Sequence, residues 1–311
     1  MNPQYKKILF TILSLTIGSV FVFSAISKIP TLEQFGWTIV ETTFFNWTMA
    51  EWSARILIGL ELFLGILFII HFRIKKVAIP VSIALLTAFT LYLFLVIKQY
   101  GTSGNCGCFG EYIPMTPLQS VVKNAGMIFI LAMMSRIQYE WNFKWANLLT
   151  MLLFLGSISI PIIISPPESI YLAEKEPILN KPIPLSLLYH SQNNKAPIKE
   201  LRKGKHVIAF MSMTCEYCRK AAKRMRIMKE KNPSIPFYII LNGDSSKLND
   251  FFIDTRASNI DFSIFNGVEQ FITLADGHAL PKIRWVEDTT VYKEPNYITM
   301  DEEAIEKWLK K

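Results

Sequence analysis

The stretch 213-MTCEYCRK-220 decides the fold of the C-terminal part of the chain. An apolar run at 206–211 precedes it, and a basic segment of helix-forming residues at 219–231 follows it. This order predicts a strand, a pair of cysteines and a helix, with the sulfur of Cys215 at the helix N-terminus. The helix dipole and the free backbone N–H groups stabilise a thiolate there, and the thiolate is the reactive form of cysteine. We therefore expect Cys215 to attack disulfides and the more buried Cys218 to be the resolving thiol.

Two other uses of this cysteine pair compete with redox chemistry. One is half of a zinc site, but tetrahedral zinc needs two further ligands, and no histidine or cysteine follows closely in the sequence. The other is an inert structural disulfide. The position of the pair between a strand and a helix favours the redox interpretation.

Composition separates the chain into a membrane part and a water-soluble part. Hydrophobic residues make up 51% of the 311 residues, and they are concentrated before residue 166. The formal net charge of +8 could suggest nucleic-acid binding. However, the basic residues flank apolar spans or are scattered, and they form no stripe interleaved with aromatic residues. We therefore expect no nucleic-acid partner.

Five apolar segments are long enough to cross a membrane as helices. They cover residues 8–29, 52–70, 77–97, 118–134 and 145–165. The first is longer than the apolar core of a signal peptide and lacks a typical cleavage site. Between the first two, residues 31–50 are rich in aromatic side chains, which predicts a segment at the membrane surface. This segment either anchors the domain or lines an entrance for a lipid-soluble partner.

The distribution of lysine and arginine predicts the orientation of the helices. The loops on one side contain seven of these residues: Lys6, Lys7, Arg73, Lys75, Lys76, Arg136 and Lys144. The opposite loops contain only Lys28 and Lys98. Since cytoplasmic loops carry the excess, we expect a multi-pass protein of the bacterial cytoplasmic membrane with its N-terminus inside. Everything after residue 165 is then outside.

Prolines mark the boundary between the two parts. Residues 1–165 form the predicted transmembrane domain, 166–180 a proline-rich linker, and 181–311 an extracytoplasmic α/β domain. Within the α/β domain we expect a second buried strand at 237–241, helices at 248–257, 268–275 and 304–311, and a hairpin of 280–286 with 289–293.

All four cysteines fall in two close pairs, and the second pair is Cys106 and Cys108. It lies in the loop after the third span, so both pairs are expected in the same disulfide-permissive compartment. A Cys-x-Cys pair can close a small, strained disulfide of oxidising potential, and Gly107 permits the backbone geometry that this needs. Two alternatives stay open, namely a soft-metal site for copper(I) or zinc and a static link within the loop.

The α/β domain resembles the membrane-tethered thioredoxin-like proteins of the TlpA and peroxiredoxin-like group. The resemblance rests on 204-GKHVIAF-210, 215-CEYCR-219 and 280-LP-281. It implies that a cis peptide bond precedes Pro281 and that the backbone of Leu280 binds an incoming polypeptide near Cys215. The alternative is a trans proline that opens an edge strand. The chain departs from the group at Thr214, where tryptophan is usual, and at Ala209, where many thioredoxins hold an acidic residue.

The membrane part resembles the MauE family of methylamine utilisation, within the wider DoxX-like membrane proteins. The resemblance covers residues 5–135 and rests on 24-SAISK-28, 58-IGLELFLG-65 and 106-CGCFG-110. It implies a four-helix core within the five-span bundle and a role in making or maintaining disulfides in extracytoplasmic proteins. The fused domain is also similar in layout to bacterial vitamin K epoxide reductase homologues, which suggests a membrane quinone only by analogy. The residues themselves imply no firm cofactor.

Two charged residues within the predicted spans are candidates for a supporting role. Glu61 lies at the centre of its span, where a carboxylate is costly and is therefore a functional candidate. It would be protonated, or paired with Arg55 or Lys28, and the alternative is a hydrogen bond that fixes helix packing. Lys123 lies in the outer part of the fourth span. It either stabilises a thiolate of Cys106 or Cys108 or extends its charge to the headgroups.

Together these features predict a membrane-bound thiol–disulfide oxidoreductase. Electrons would pass between the Cys215/Cys218 and Cys106/Cys108 pairs through a mixed disulfide. The predicted partners are extracytoplasmic protein thiols and disulfides, together with membrane lipid, and we predict no resident metal. The competing hypothesis is a protein that handles copper(I) or zinc with the same thiols. The lack of Met-rich or His-rich tracts beside either pair argues against it.

Overall fold

The computed structural model describes residues 3–102, 113, 115–137, 144–167, 177–190 and 194–311. By its internal contacts the chain divides into two compact units, Met1–Pro167 and Glu168–Lys311.

The described part of the first unit is helical. Its helices are α1 (Pro3–Lys28), α2 (Leu32–Thr42), α3 (Trp47–Ile69), α4 (Ile79–Tyr100), α5 (Pro117–Ser135) and α6 (Ala146–Ile164), and a π-helical turn (Ile74–Ala78) leads into α4. Helix ends are capped where the sequence supplies a cap: Asn46 accepts a hydrogen bond from the third residue of α3, and Thr116 and Gln119 form a capping box on α5. Five of these helices are long and apolar enough to cross a membrane, which confirms the predicted five spans.

Glycines set the spacing between the membrane helices. A Cβ atom added to Gly65 on α3 would lie 2.6 Å from Val22 and 3.0 Å from the carbonyl oxygen of Gly18 on α1. A Cβ on Gly59 would lie 2.7 Å from the Cα atom of Ile158 on α6. Close approach at small residues is the usual way for helices to pack in lipid, where no hydrophobic effect drives them together. The helix α3 therefore packs tightly against α1 on one side and α6 on the other.

Large apolar side chains remain exposed on the outside of this unit. Examples on α4, α5 and α6 are Leu91, Phe129 and Ile163, which are 62%, 67% and 76% exposed. Such a surface is stable in hydrocarbon and not in water. The first unit is therefore a multi-pass membrane domain.

The second unit is built around one six-stranded sheet. Its strands are β1 (Lys181–Pro182), β2 (Lys205–Ser212), β3 (Phe237–Asn242), β4 (Asp261–Ile264), β5 (Lys282–Glu287) and β6 (Thr290–Lys293). Its helices are α7 (Leu187–His190), α8 (Glu216–Lys231), α9 (Leu248–Thr255), α10 (Val268–Ala275) and α11 (Glu302–Leu309).

The sheet has the strand order β1-β6-β5-β2-β3-β4. The central strand β2 runs parallel to β3, with Val207 opposite Phe237, and antiparallel to β5, with Phe210 opposite Lys282. β5 and β6 form the predicted hairpin. A parallel βαβ unit joined to an antiparallel hairpin in this order is the thioredoxin-like fold, as the resemblance implied. The topology brings the end of β2 beside the start of β5.

Candidate redox site and membrane ion pair

Cys215 lies at the junction between the central strand and the helix that follows it. β2 ends at Ser212, and Cys215 is the N-cap residue of α8. Its Sγ atom accepts a hydrogen bond from the backbone N–H of Cys218 at 3.3 Å. A sulfur in this position receives a backbone N–H donor and lies at the positive end of the helix dipole. The side chain is half-buried, so a partner can reach it.

Cys218 is one turn further into the helix, and its side chain is completely buried. Burial raises the pKa of the Cys218 thiol well above its usual range, and its hydrogen bond with Cys215 raises it further. The backbone N–H of Ser212, which donates to the Cys218 sulfur at 3.4 Å, offsets only part of this increase in pKa. A buried, protonated thiol reacts slowly with an external disulfide but can still attack the adjacent sulfur. This arrangement suits a resolving thiol.

The predicted proline loop packs directly beside Cys215. The Leu280–Pro281 peptide bond is cis, as predicted, and the carbonyl oxygen of Leu280 accepts a weak hydrogen bond from the Cys215 thiol at 3.9 Å. An open groove of about 480 Å³ runs past this loop. Among its lining residues are Tyr217, Leu280, Pro281, Lys282, Glu294 and Tyr297.

A charge cluster lies at one wall of the groove. Glu294 accepts from Lys282 at 2.7 Å and from Arg284 at 2.8 Å, and the Arg284 side chain is only 4% exposed. Burial alone would raise the pKa of Glu294, but its hydrogen bonds to both cations outweigh this, and the pKa is lowered. Glu294 is therefore ionised at neutral pH and pairs with two cations, of which Lys282 lines the groove and Arg284 is buried. No local sequence pattern marks this cluster, because its members meet only when β5 and β6 pair.

The charges that flank the cysteines in sequence are engaged with other groups. Arg219 forms an ion pair with Asp254 at 3.3 Å, and Lys220 lies 3.6 Å from Glu216. Ala209 is fully buried within β2, so the chain has no carboxylate at the position where many thioredoxins hold one. The local environment of Cys215 therefore comes mainly from the helix N-terminus and the proline loop.

The membrane unit contains a buried ion pair between α1 and α3. The ammonium nitrogen of Lys28 lies 2.5 Å from a carboxylate oxygen of Glu61, and the two side chains are 3% and 15% exposed. The Ser24 hydroxyl accepts from Lys28 and donates to Glu61, both at 3.1 Å. Of the two predicted partners of Glu61, Lys28 forms this ion pair. Arg55 instead donates to the backbone carbonyl oxygens of Glu51, Ser165 and Pro166.

Lys123, the second predicted supporting residue of the membrane part, lines the same small cavity as Glu61 and Lys28. Its neighbour Asn124 is almost completely buried there. The structure thus brings Glu61 and Lys123 together at one internal site. Five helices contribute polar side chains or walls to it: α1, α2, α3, α4 and α5.

Comparison with known families identifies the membrane unit. Residues 6–136 match the family model described as methylamine utilisation protein MauE. The first unit carries a MauE domain. This confirms the resemblance inferred from its three short motifs. Ser24, Lys28 and Glu61 of the buried cluster lie within two of those motifs.

The whole chain is similar to Protein TlpB of Flavobacterium psychrophilum. The two are 28% identical over 330 aligned residues, which cover 91% of this chain and 90% of TlpB. An alignment of this length includes both the MauE domain and the thioredoxin-like unit. The combination of the two units is therefore shared with that relative.

Two solved structures match the second unit. One is a secreted Mycobacterium tuberculosis disulfide oxidoreductase homologous to E. coli DsbE, with 15% identity, a TM-score of 0.28, and 34% of this chain and 81% of that chain covered. The other is the thioredoxin domain of a thiol-disulfide oxidoreductase from Bacteroides vulgatus, with 13% identity, a TM-score of 0.30, and coverage of 35% and 81%.

Cys106 and Cys108 of the MauE domain lie outside the described residues. Their predicted role as a second redox pair therefore stays a prediction. The described helices α4 and α5 are the elements that this loop connects in sequence.

Proposed function

We propose that this protein is a membrane-bound thiol–disulfide oxidoreductase that exchanges electrons between Cys215/Cys218 and Cys106/Cys108. One observation supports the thiol–disulfide chemistry of Cys215 and Cys218. The half-buried Cys215 sulfur sits at a helix N-terminus beside an open groove, while Cys218 is buried behind it with a raised pKa. One attacking and one resolving thiol are what dithiol–disulfide exchange requires.

The reaction proceeds in two displacements. The Cys215 thiolate attacks one sulfur of a target disulfide, forms a mixed disulfide and releases the other target sulfur as a thiolate, which takes up a proton. The Cys218 thiol then loses its proton and attacks Cys215, which releases the second target thiol and closes the Cys215–Cys218 disulfide. Two electrons pass to the target, and the reverse sequence oxidises a target dithiol.

The groove beside Pro281 supports a polypeptide as the target. Its volume of about 480 Å³ and its open form suit an extended chain segment better than a small enclosed molecule. Tyr217 offers an exposed aromatic face at one wall, and Lys282 and Glu294 offer charges at another. We propose extracytoplasmic proteins with accessible thiols or disulfides as substrates, and Cys106/Cys108 as the partner pair within the chain.

We also propose that both cysteine pairs face the outside of the bacterial cytoplasmic membrane. The positive-inside bias supports this orientation. The loops on the inner side contain seven lysine and arginine residues and those on the outer side contain two.

The function is tested by trapping mixed disulfides in cells. Cys218→Ser removes the resolving thiol, so mixed disulfides between Cys215 and target proteins should accumulate on non-reducing gels of acid-quenched cells. Cys215→Ser removes the attacking thiol and should trap few or none. The double variant is the control for background bands. Equal trapping by the two single variants would contradict the assigned roles.

The orientation is tested with a membrane-impermeant thiol reagent on intact spheroplasts. The reduced wild-type protein should be labelled without lysis. As a control, Lys75→Cys in a chain whose four natural cysteines are serine should be labelled only after lysis. Labelling of the natural cysteines only after lysis would reverse the proposed topology.

A further inference from the structure

The MauE domain contains a divided cleft whose two parts differ in chemistry. The inner part is a recess of about 30 Å³ at the Lys28–Glu61 pair. The outer part is an open groove of about 180 Å³ between α2, α3 and α4. The two parts share four wall residues, so they form one continuous site: Phe35, Leu57, Leu85 and Phe89.

The dimensions limit what the cleft can hold. A cavity of about 150 Å³ accommodates one benzene ring, and about 10 to 15 Å³ accommodates one water-sized group. The groove therefore fits one six-membered ring, and the recess fits one or two oxygen substituents. The headgroup of a phospholipid, with a phosphate and its substituents, is too large for the recess.

Asn124 supplies an acceptor without a partner in the recess. The side chain is 1% exposed, and its Oδ1 atom has no hydrogen-bond partner among the described residues. Its Nδ2 group donates to the Thr90 hydroxyl at 3.1 Å, and that hydroxyl donates its own proton to the carbonyl oxygen of Leu86. Thr90 must therefore accept from the amide, which fixes Oδ1 as the free end. A buried acceptor without a donor is costly, so a donor is favoured beside it, and the hydroxyl of a ligand would supply one.

Lys28 supplies a donor at the junction of the two parts. Its ammonium nitrogen lies 5.7 Å from the ring centre of Phe35 and 5.6 Å from that of Phe89. An ammonium has three N–H donors, and the described contacts to Glu61 and Ser24 use two of them. A ligand carboxylate at this position would lie beside Glu61 and be repelled by it, so a neutral ligand oxygen suits the Lys28 donor better.

We infer that this cleft binds a membrane lipid of the quinone–quinol class, with its ring in the groove and a ring oxygen in the recess. A ring carbonyl accepts from Lys28, and the hydroxyl of the reduced form also donates to Asn124. The cleft lies within membrane-spanning helices, so the ligand enters from the bilayer. The binding site is assigned independently of the cysteine chemistry proposed above.

Binding is tested on the full-length chain with all four cysteines replaced by serine, so that neither thiol exchange nor reaction of thiols with quinone contributes. The purified protein is extracted and its quinone content per chain is measured. Thermal unfolding in detergent is then followed with added decyl-substituted 1,4-benzoquinone or its quinol. We expect close to one quinone-class lipid per chain and a concentration-dependent rise in Tm with either form.

Two variants locate the site. Ala88 lines the groove and points outward from α4, so Ala88→Trp fills the groove without removing a core contact. It should reduce bound quinone at least tenfold. Ala84→Trp, one turn earlier on the same exposed side of α4, is the matched control and should retain it. Asn124→Leu should weaken the quinol about tenfold and the quinone less, because only the quinol donates to this acceptor.

Three results would overturn the assignment. One is the absence of both copurified quinone and any Tm shift in the serine chain. Another is equal loss of binding in the two tryptophan variants. The third is a stoichiometric fatty acid or phospholipid, instead of a quinone, that Ala88→Trp displaces. None of these results depends on whether the thiol exchange proposed above takes place.

Discussion

The Lys28–Glu61 ion pair gives the most quantitative prediction for the membrane domain. At 2.5 Å the two charges attract by about 7 kcal/mol at an effective dielectric constant of about 20. Desolvation of both groups cancels much of this attraction, but removing one partner leaves the other buried and unpaired. Such a loss costs about 3 to 5 kcal/mol in the free energy of unfolding. The remaining Lys28 is only 3% exposed, so Glu61→Gln should fall within that range.

A double-mutant cycle measures the coupling between the two residues. Lys28→Met, Glu61→Gln and the double variant are unfolded by added SDS in lipid–detergent micelles, with tryptophan fluorescence as the readout. The double variant should be less destabilised than the sum of the single variants by at least about 2 kcal/mol. Lys98→Met, at an exposed lysine of α4, is the control and should change stability by less than about 0.5 kcal/mol. Additive effects of the two single changes would refute the interpretation of this contact as a buried ion pair.

Three further predictions concern the thiols, the charge cluster and the helix packing. In single-cysteine chains at pH 8, iodoacetamide should alkylate Cys218 at least about 100-fold more slowly than it alkylates the thiol of free glutathione. The reason is that each unit of pKa increase lowers the thiolate fraction about tenfold. Equal rates for the two thiols would show that Cys218 is accessible and ionised. Glu294→Gln should lower the free energy of unfolding at pH 7 by about 2 kcal/mol, since Arg284 loses a buried partner. Because the folded pKa of Glu294 is lowered, its contribution is complete well above the unfolded pKa of about 4.3 and is lost as pH falls through the folded value. In pulse-proteolysis measurements the difference between variant and wild type should therefore shrink progressively below about pH 4; a difference of unchanged size between pH 7 and pH 3 would contradict this. Gly65→Leu should reduce folded protein in membranes through its clash with Val22, whereas Gly126→Leu, where a Cβ has open space, should not.

Local sequence patterns predicted most elements of the second unit. The helix α10 occupies Val268–Ala275, the predicted range, because an amphipathic segment directly follows Gly267. The final helix starts at Glu302, two residues before the predicted start, since the Asp301 side chain caps it by accepting from the Ala304 N–H. The strands β1 and β4 were not predicted. They are short edge strands, and the burial of β4 is intermediate throughout, so neither shows a clear alternation.

Contacts between distant elements account for what the sequence could not specify. Glu61 was a candidate because a carboxylate within a span is costly, but the choice between Lys28 and Arg55 depends on how α1 crosses α3. Asn124 has no distinctive local pattern, and its importance appears only when α5 closes the recess beside Lys28. The cysteine pair Cys215/Cys218 was identified because its chemistry depends on a local strand–helix junction.

The most direct test of the account is a disulfide between Cys215 and the membrane pair. In a Cys218→Ser chain, oxidised in native membranes and acid-quenched, tryptic mass spectrometry should find Cys215 joined to Cys106 or Cys108 within the same chain. The adduct should disappear on reduction and should be absent from a Cys215→Ser chain. If Cys215 is trapped only with other proteins, while Cys106 and Cys108 remain bonded to each other or free, the two pairs do not exchange electrons and the proposed relay is wrong.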